Sequence, residues 1–268
     1  MRRVAVVTGA ARGIGAATVC GLAAAGWSVV AVDRCADDPR VPYPLGTRQE
    51  LDGVVERAAA LRDPDVPGGV TAHEADTVDE VALAAAVAVA EERFGGLDAM
   101  VAVAGVIAGG VPLWEMPAGQ LAAVLEVDLG GPIAAARVGV PALVRRSTPR
   151  EGRYLAVASA AATKGLPHLS AYGAAKAGVA GLVRGLAAEL AGTGVTANAV
   201  CPGSTDTAML AESARLYDLA DTSPFADQQP VGRLLAPSEV AAALVWLADA
   251  DRGAVTGAVL PVDGGLAL

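Results

Sequence analysis

The segment VAVVTGAARGIGAAT, Val4 to Thr18, constrains this chain more than any other. A short β-branched run passes through a turn carrying Gly9, Gly13 and Gly15 straight into an alanine-rich stretch. With so short a link, the strand and the helix must be neighbours in one layered unit. The same alternation returns along the chain: WSVVAVD, LDAMVAVAG and GRYLAVASA are apolar strand candidates, separated by Ala/Leu-rich segments. Helices are predicted over Ala16 to Ala25, Asp79 to Arg93, Ala118 to Val144, Ala171 to Ala191 and Ser238 to Ala248, the last with Ser238 as N-cap. Strands that are apolar throughout are strands buried on both faces. The expectation is an α/β fold: one doubly wound parallel sheet with helices on both faces. No internal repeat or composition break marks a second unit, so residues 1–268 read as a single domain, with RDPDVPGG and RRSTPREGR as surface loops.

Composition narrows what such a domain would meet. A chain of 268 residues with 53% hydrophobic content can bury one large core. Its 29 acidic against 20 basic side chains give a net charge of -9, which repels nucleic acid and anionic membranes and favours a small-molecule substrate. Cys20, Cys35 and Cys201 are odd in number and lack zinc or redox spacing, which suits a reduced cytosol. The N-terminal apolar run is broken by glycine before a signal sequence is complete, and no stretch free of charges and glycines is long enough to span a bilayer. A cytoplasmic location is expected. The chemistry of the side chains suggests no catalytic metal.

Glycine lets the backbone approach a pyrophosphate, and the uncovered N–H groups at the helix start face it. Gly9, Arg12, Gly13, Ile14 and Gly15 are therefore candidates for a Rossmann-type dinucleotide site. The next strand ends at Asp33, where a carboxylate can accept hydrogen bonds from a ribose diol and would repel a 2′-phosphate, so NAD is expected rather than NADP. Arg12 and Arg34 argue the other way if either reaches a phosphate, and are solvated surface charges if neither does.

In ASAAATKGLPHLSAYGAAKAG, Tyr172 and Lys176 lie one turn apart on a predicted helix and share a face. An adjacent ammonium favours the phenolate, which makes the tyrosine a usable acid or base. Ser159 ends the preceding strand and could hold a substrate oxygen. Glycine turn, Ser159, Tyr172 and Lys176 in this order resemble the short-chain dehydrogenase/reductase family, and NAVCPGSTDT and the tail from GRLLAPSEV to PVDGG extend the likeness over nearly the whole chain. The resemblance implies hydride transfer in which Ser159 fixes the reacting oxygen, Tyr172 exchanges its proton, and Lys176 lowers the tyrosine pKa and holds the nicotinamide ribose. It also implies Asp76 and Thr77 near the adenine, Ala104 and Gly105 near its ribose, and Pro202, Gly203, Thr205 and Thr207 near the carboxamide and pyrophosphate. A homotetramer follows from the same resemblance, and the apolar face of Val179 to Leu190 is consistent with it.

Two departures stand out. The chain reads Ala102-Val103-Ala104-Gly105 where the family usually has Asn-Asn-Ala-Gly, which removes side-chain support for the central strand. Asp128 takes the place of the family's helix asparagine. It either keeps a proton relay by accepting the same hydrogen bonds or simply pairs with Lys176. His168 is a candidate substrate contact or a plain loop residue, and Trp114 with Met116 forms either an apolar wall over the substrate or an anchor for the next helix.

The family usually passes directly from the second strand into a helix. Here a loop at about 34–50, RCADDPRVPYPLGTRQE, intervenes. Asp33, Pro42-Tyr43-Pro44, Thr47 and ELDGVVERA resemble a branch associated with mycofactocin, which includes carveol dehydrogenase-like enzymes. That likeness implies NAD held without exchange and re-oxidised in place by a peptide-derived carrier. Pro42 and Pro44 stiffen the loop around Tyr43, which offers a flat face that could cover the adenosine side, although a loop of this length could also be ornamental. The expected activity is an NAD-dependent interconversion of a hydrophobic secondary alcohol, terpenoid or otherwise alicyclic, and its ketone. The rivals are an NADPH-dependent ketoreductase of polyketide or fatty-acid type and a catalytically silent cofactor-binding regulator.

Overall fold

A computed structural model describes residues 3–147 and 151–268; Thr148 to Arg150 of the loop RRSTPREGR lie outside the described residues. The strands are β1 (Val4–Thr8), β2 (Ser28–Asp33), β3 (Val70–Glu74), β4 (Ala99–Ala102), β5 (Arg153–Val157), β6 (Thr196–Pro202) and β7 (Val259–Val262). They form one parallel sheet in the order β3-β2-β1-β4-β5-β6-β7. Alternate residues of each strand face opposite layers. Val4, Val6, Val30 and Val32 join the core beneath α3 (Glu80–Phe94), α5 (Gly131–Arg145) and α6 (Ser170–Glu189). Ala5, Val7, Val29 and Ala31 join the core beneath α1 (Gly13–Ala24), α2 (Arg48–Ala60) and α9 (Pro237–Ala248).

Leu51 and Val54, fully buried under α2, each contribute roughly 1.5–3 kcal/mol by burial, an upper range. The chain reverses direction across the sheet between β1 and β4, and this switch point opens the crevice used below.

Three local details differ from the sequence reading. Helix α9 starts one residue earlier than expected, because Pro237 occupies its first position, where a missing N–H costs nothing; Ser238 lies inside the helix, and Glu239 reaches back to accept the Ala236 N–H at 2.8 Å. The expected single helix over Ala118 to Val144 is α4 (Ala118–Leu125), a π-turn (Glu126–Gly130) and α5. Pro132, with no N–H to give, sits where regular α bonding resumes. This continuous helix is long and apolar enough to cross a bilayer, yet half of its apolar window is buried, and Ala135 and Leu143 sit in the core. Finally, the loop after β2 ends at Thr47, whose hydroxyl accepts the Glu50 N–H while Glu50 accepts the Thr47 N–H at 2.7 Å, so the last residues of the expected insertion belong to α2.

Candidate active site

A cavity of about 590 Å³ opens over the C-terminal ends of β1, β2, β4, β5 and β6. At its first end, Gly9 turns with φ +66 and lies so close to β4 that an added Cβ would stand 2.6 Å from Ala104 Cα. Arg12 precedes α1 in extended conformation without a capping side chain, so the first-turn N–H groups around Gly13, Ile14 and Gly15 face the cavity uncovered. Asp33 lines the same end; its Oδ2 accepts the Ala11 N–H at 3.0 Å and its Oδ1 the Cys35 N–H at 3.2 Å. Asp76 and Thr77 stand beside it, and the buried Thr77 Oγ1 has no partner among the described residues. An uncovered helix start, a rim carboxylate and an orphaned hydroxyl fit a dinucleotide.

Both arginines are engaged with the loop after β2, Arg34 more fully than Arg12. Arg34 pairs with Asp38 at 3.1 Å and Asp76 at 3.5 Å, and Arg12 Nη2 donates to the Pro44 carbonyl at 2.9 Å. Both tie down the segment 34–47, which runs across the cavity as a strap. Asp38, 2% exposed, anchors it: the Arg40 guanidinium, the Arg40 N–H and Arg34 together hold this carboxyl well below the usual carboxylate range. Arg40 also bonds Glu126 on the π-turn. Gly46 passes Asp33 so closely that a Cβ would meet its Oδ1 at 3.0 Å. Val41, Tyr43 and Leu45 join an apolar cluster with Ile107, Val127, Met209 and Tyr217.

At the cavity floor, Ser159 follows β5, and Tyr172 and Lys176 project from one face of α6. Ser159 Oγ accepts the Ala161 N–H at 3.1 Å, and Lys176 Nζ lies 5.6 Å from the Tyr172 ring centre. Lys176 also donates to the Val157 carbonyl at 3.2 Å and pairs with Asp128 at 3.1 Å. Asp128, fully buried on the π-turn behind the cavity wall, accepts the Val106 N–H at 3.2 Å through Oδ1, while its Oδ2 is unpartnered among the described residues.

Burial pushes Asp128 up to about 6 against the pull of Lys176. Burial works to lower Lys176, but Asp128 and Tyr172 more than offset it and hold it charged. Tyr172 is raised, because burial and the Asp128 charge outweigh the ammonium. Lys176 does pull the tyrosine pKa down, as the resemblance implies, but burial and the Asp128 charge outweigh it, so the net shift is upward.

Ala104, Gly105, Pro202, Gly203, Thr205 and Thr207 all line the cavity. His168 and Trp114 do not. Trp114 is 84% exposed on a short 3₁₀ turn, and His168 is exposed at φ +61, contributing only its carbonyl, which accepts the Gly110 N–H. The substrate end is instead walled by Leu166, Leu169, Met209, Leu210, Tyr217 and Phe225, carried largely by α7 (Ala208–Leu216) and α8 (Ser223–Asp227). Thr207 as N-cap, followed by Met209, Leu210 and Leu216, was the sequence signal for that wall.

Two supports also went unread. Thr8 Oγ1 accepts the Val103 and Ala104 N–H groups, replacing the support expected to be missing after β4. Gln229, buried, clamps both backbone groups of Ser204 beside Gly203.

Comparison with known proteins agrees with this geometry. The family model described as Enoyl-(Acyl carrier protein) reductase matches residues 9–267. The chain is 39% identical to a cis-4-hydroxycyclohexanecarboxylate dehydrogenase of Sinomonas cyclohexanicum, over 98% of this chain and 96% of that protein. It is 32% identical to a (-)-trans-carveol dehydrogenase of Rhodococcus erythropolis, over 99% and 98%. The crystal structure of a carveol dehydrogenase from Mycobacterium avium in complex with NAD superimposes with a TM-score of 0.90 at 30% identity, covering 98% of this chain and 97% of that one. The likeness runs the full length of the chain, and the chain belongs to the short-chain dehydrogenase/reductase family.

Proposed function

We propose that this protein is an NAD-dependent oxidoreductase that interconverts a hydrophobic secondary alcohol, terpenoid or otherwise alicyclic, and its ketone. The observation that carries this reading is the position of Ser159, Tyr172 and Lys176 between two arms of one cavity, a dinucleotide arm ending at Asp33 and an apolar arm under α7 and α8. When bound, NAD supplies the acceptor for the hydride of the alcohol carbon. The Ser159 hydroxyl bonds the reacting oxygen, and Tyr172 takes the alcohol proton or, in the other direction, gives one to the ketone. Lys176, kept charged by Asp128, would hold the nicotinamide ribose beside Tyr172. Because burial holds Tyr172 above its ordinary range, the proton donor is retained at neutral pH, and alcohol oxidation gains as the medium becomes alkaline.

Asp33 at the ribose position, with Arg34 already engaged by two carboxylates, supports NAD over NADPH and speaks against the ketoreductase reading. The similarity to carveol dehydrogenases and the strap tied at Pro44, Asp38 and Tyr43 support a finer proposal: NAD stays beneath the strap and is re-oxidised in place by a mycofactocin-type redox carrier. A cytoplasmic homotetramer completes the reading.

The test is oxidation of a panel of alicyclic secondary alcohols, with an artificial electron acceptor present, by the purified protein and by Tyr172→Phe. Loss of the proton acceptor should lower turnover at least about 100-fold while NAD affinity stays within about threefold. Turnover within about tenfold of the parent would show that another group exchanges the proton.

A further inference from the structure

Two consecutive backbone N–H groups after β4 face in different directions. Val106 donates to Asp128 Oδ1 at 3.2 Å, and Ile107 donates to the Tyr43 hydroxyl at 2.8 Å. Both residues are 3% exposed, so neither N–H has water as a ready substitute. The intervening peptide plane is rigid, and fixing the Ile107 N–H restrains the torsions of Val106 and with them the direction of its own N–H. The strap therefore touches the residue next to the one that holds the catalytic ion pair. A second tie runs the same way, since Arg40 of the strap bonds Glu126, on the π-turn that carries Asp128.

We propose that Tyr43 is a positioning residue for the hydride-transfer step, acting through the Val106–Ile107 peptide to hold Asp128 against Lys176, so that closure of the strap over the cofactor also sets the catalytic centre. This deepens the reading given above and rests on it for the nature of the step. The strap is then more than a cover. When it lifts, Ile107 loses its acceptor, Val106 loosens, and Asp128 loses the one backbone donor it has among the described residues.

The groups facing Asp128 are few. Lys176 and Tyr172 face it from α6, the Val106 N–H from the loop after β4, and the Tyr43 phenol from the strap, with the Cys201 thiol of β6 beyond Lys176 and Tyr172. A backbone N–H to a carboxylate favours its charged form, so weakening the Val106 bond makes Asp128 harder to ionise.

Tyr43→Phe removes the acceptor and keeps the ring. Two measurements on the protein with its cofactor decide the matter. Carbon NMR of isotope-labelled aspartate, with the Asp128 signal assigned by its loss in Asp128→Asn, should show the Asp128 midpoint rising by about half a pH unit in Tyr43→Phe. Single-turnover hydride transfer should fall about fivefold in Tyr43→Phe, and that loss should vanish when Tyr43→Phe is made in the Asp128→Asn background. An unmoved Asp128 midpoint, or a full loss persisting without Asp128, overturns the proposal and leaves Tyr43 a cover alone. If the parent oxidises no secondary alcohol, the functional reading fails, and the titration still decides the coupling.

Discussion

Asp33 spends part of its carboxylate on the Ala11 and Cys35 N–H groups, and the remainder faces the cavity where a ribose would lie. Replacing it with Ser should weaken NAD binding about tenfold or more and raise the NADP-to-NAD affinity ratio by a similar factor, because the ribose contact and the like-charge repulsion are both removed. The gain for NADP itself should be small, since Arg34 stays with Asp38 and Asp76. Equilibrium binding of both cofactors to the cofactor-free protein checks this, and an unchanged ratio would move the ribose contact elsewhere. Single residues were legible in the sequence where function fixes their spacing: Tyr172 and Lys176 share a helix face whatever surrounds them. Their proton affinities were not, because these depend on burial and on Asp128, which comes from another element. Nor could exposure be read for His168 and Trp114. A polar or aromatic residue between motifs looks the same whether it turns inward or outward.

Among the elements, the strap is the one that separates this chain from a plain strand-to-helix connection. Cys35 enters it at φ +55, Asp38 anchors its middle, and the Thr47 capping box ends it by starting α2. Thr47→Ala should cost about 1 kcal/mol of stability, visible as a lowered urea midpoint, because the cap is lost and no core contact changes. A loss well below half of that would mean the Glu50 side chain holds the helix start alone. The sequence showed the loop and its stiff Pro42-Tyr43-Pro44 core, but its anchorage runs to Ile107 and Glu126, far along the chain, and no local pattern announces such partners. Helix α9 shows the opposite case. Its shifted start followed from Pro237, a rule that was present in the sequence and outweighs Ser238 as a cap.

At the scale of the whole molecule, the doubly wound sheet was readable from its central strands β1, β2, β4 and β5, which are apolar and buried, while the edge strands β3 and β7 are only half-buried and carry a weaker pattern. The reasoning for a tetramer needs revision even as the proposal stands. Val179, Val183 and Leu190 are buried within their own subunit, so α6 offers neighbours mainly Gly181, Arg184 and Gly185, together with Leu125 and Ile133 of α4 and α5, each 39% exposed. Light scattering should give four times the 26.5 kDa chain mass, and a mass near 26.5 kDa would refute the assembly.

Under the function proposed above, the strap keeps NAD in place through the catalytic cycle, so that affinity shows as a slow off-rate. The direct measurement is product formed per subunit when the intact protein is given alcohol and free NAD, with and without an artificial electron acceptor, beside a variant whose segment 38–46 is cut to a tight turn. The intact protein should stall after one equivalent and resume when the acceptor is added, while the shortened variant should turn over with free NAD alone. Sustained turnover of the intact protein on free NAD, with no gain from the acceptor, would contradict it.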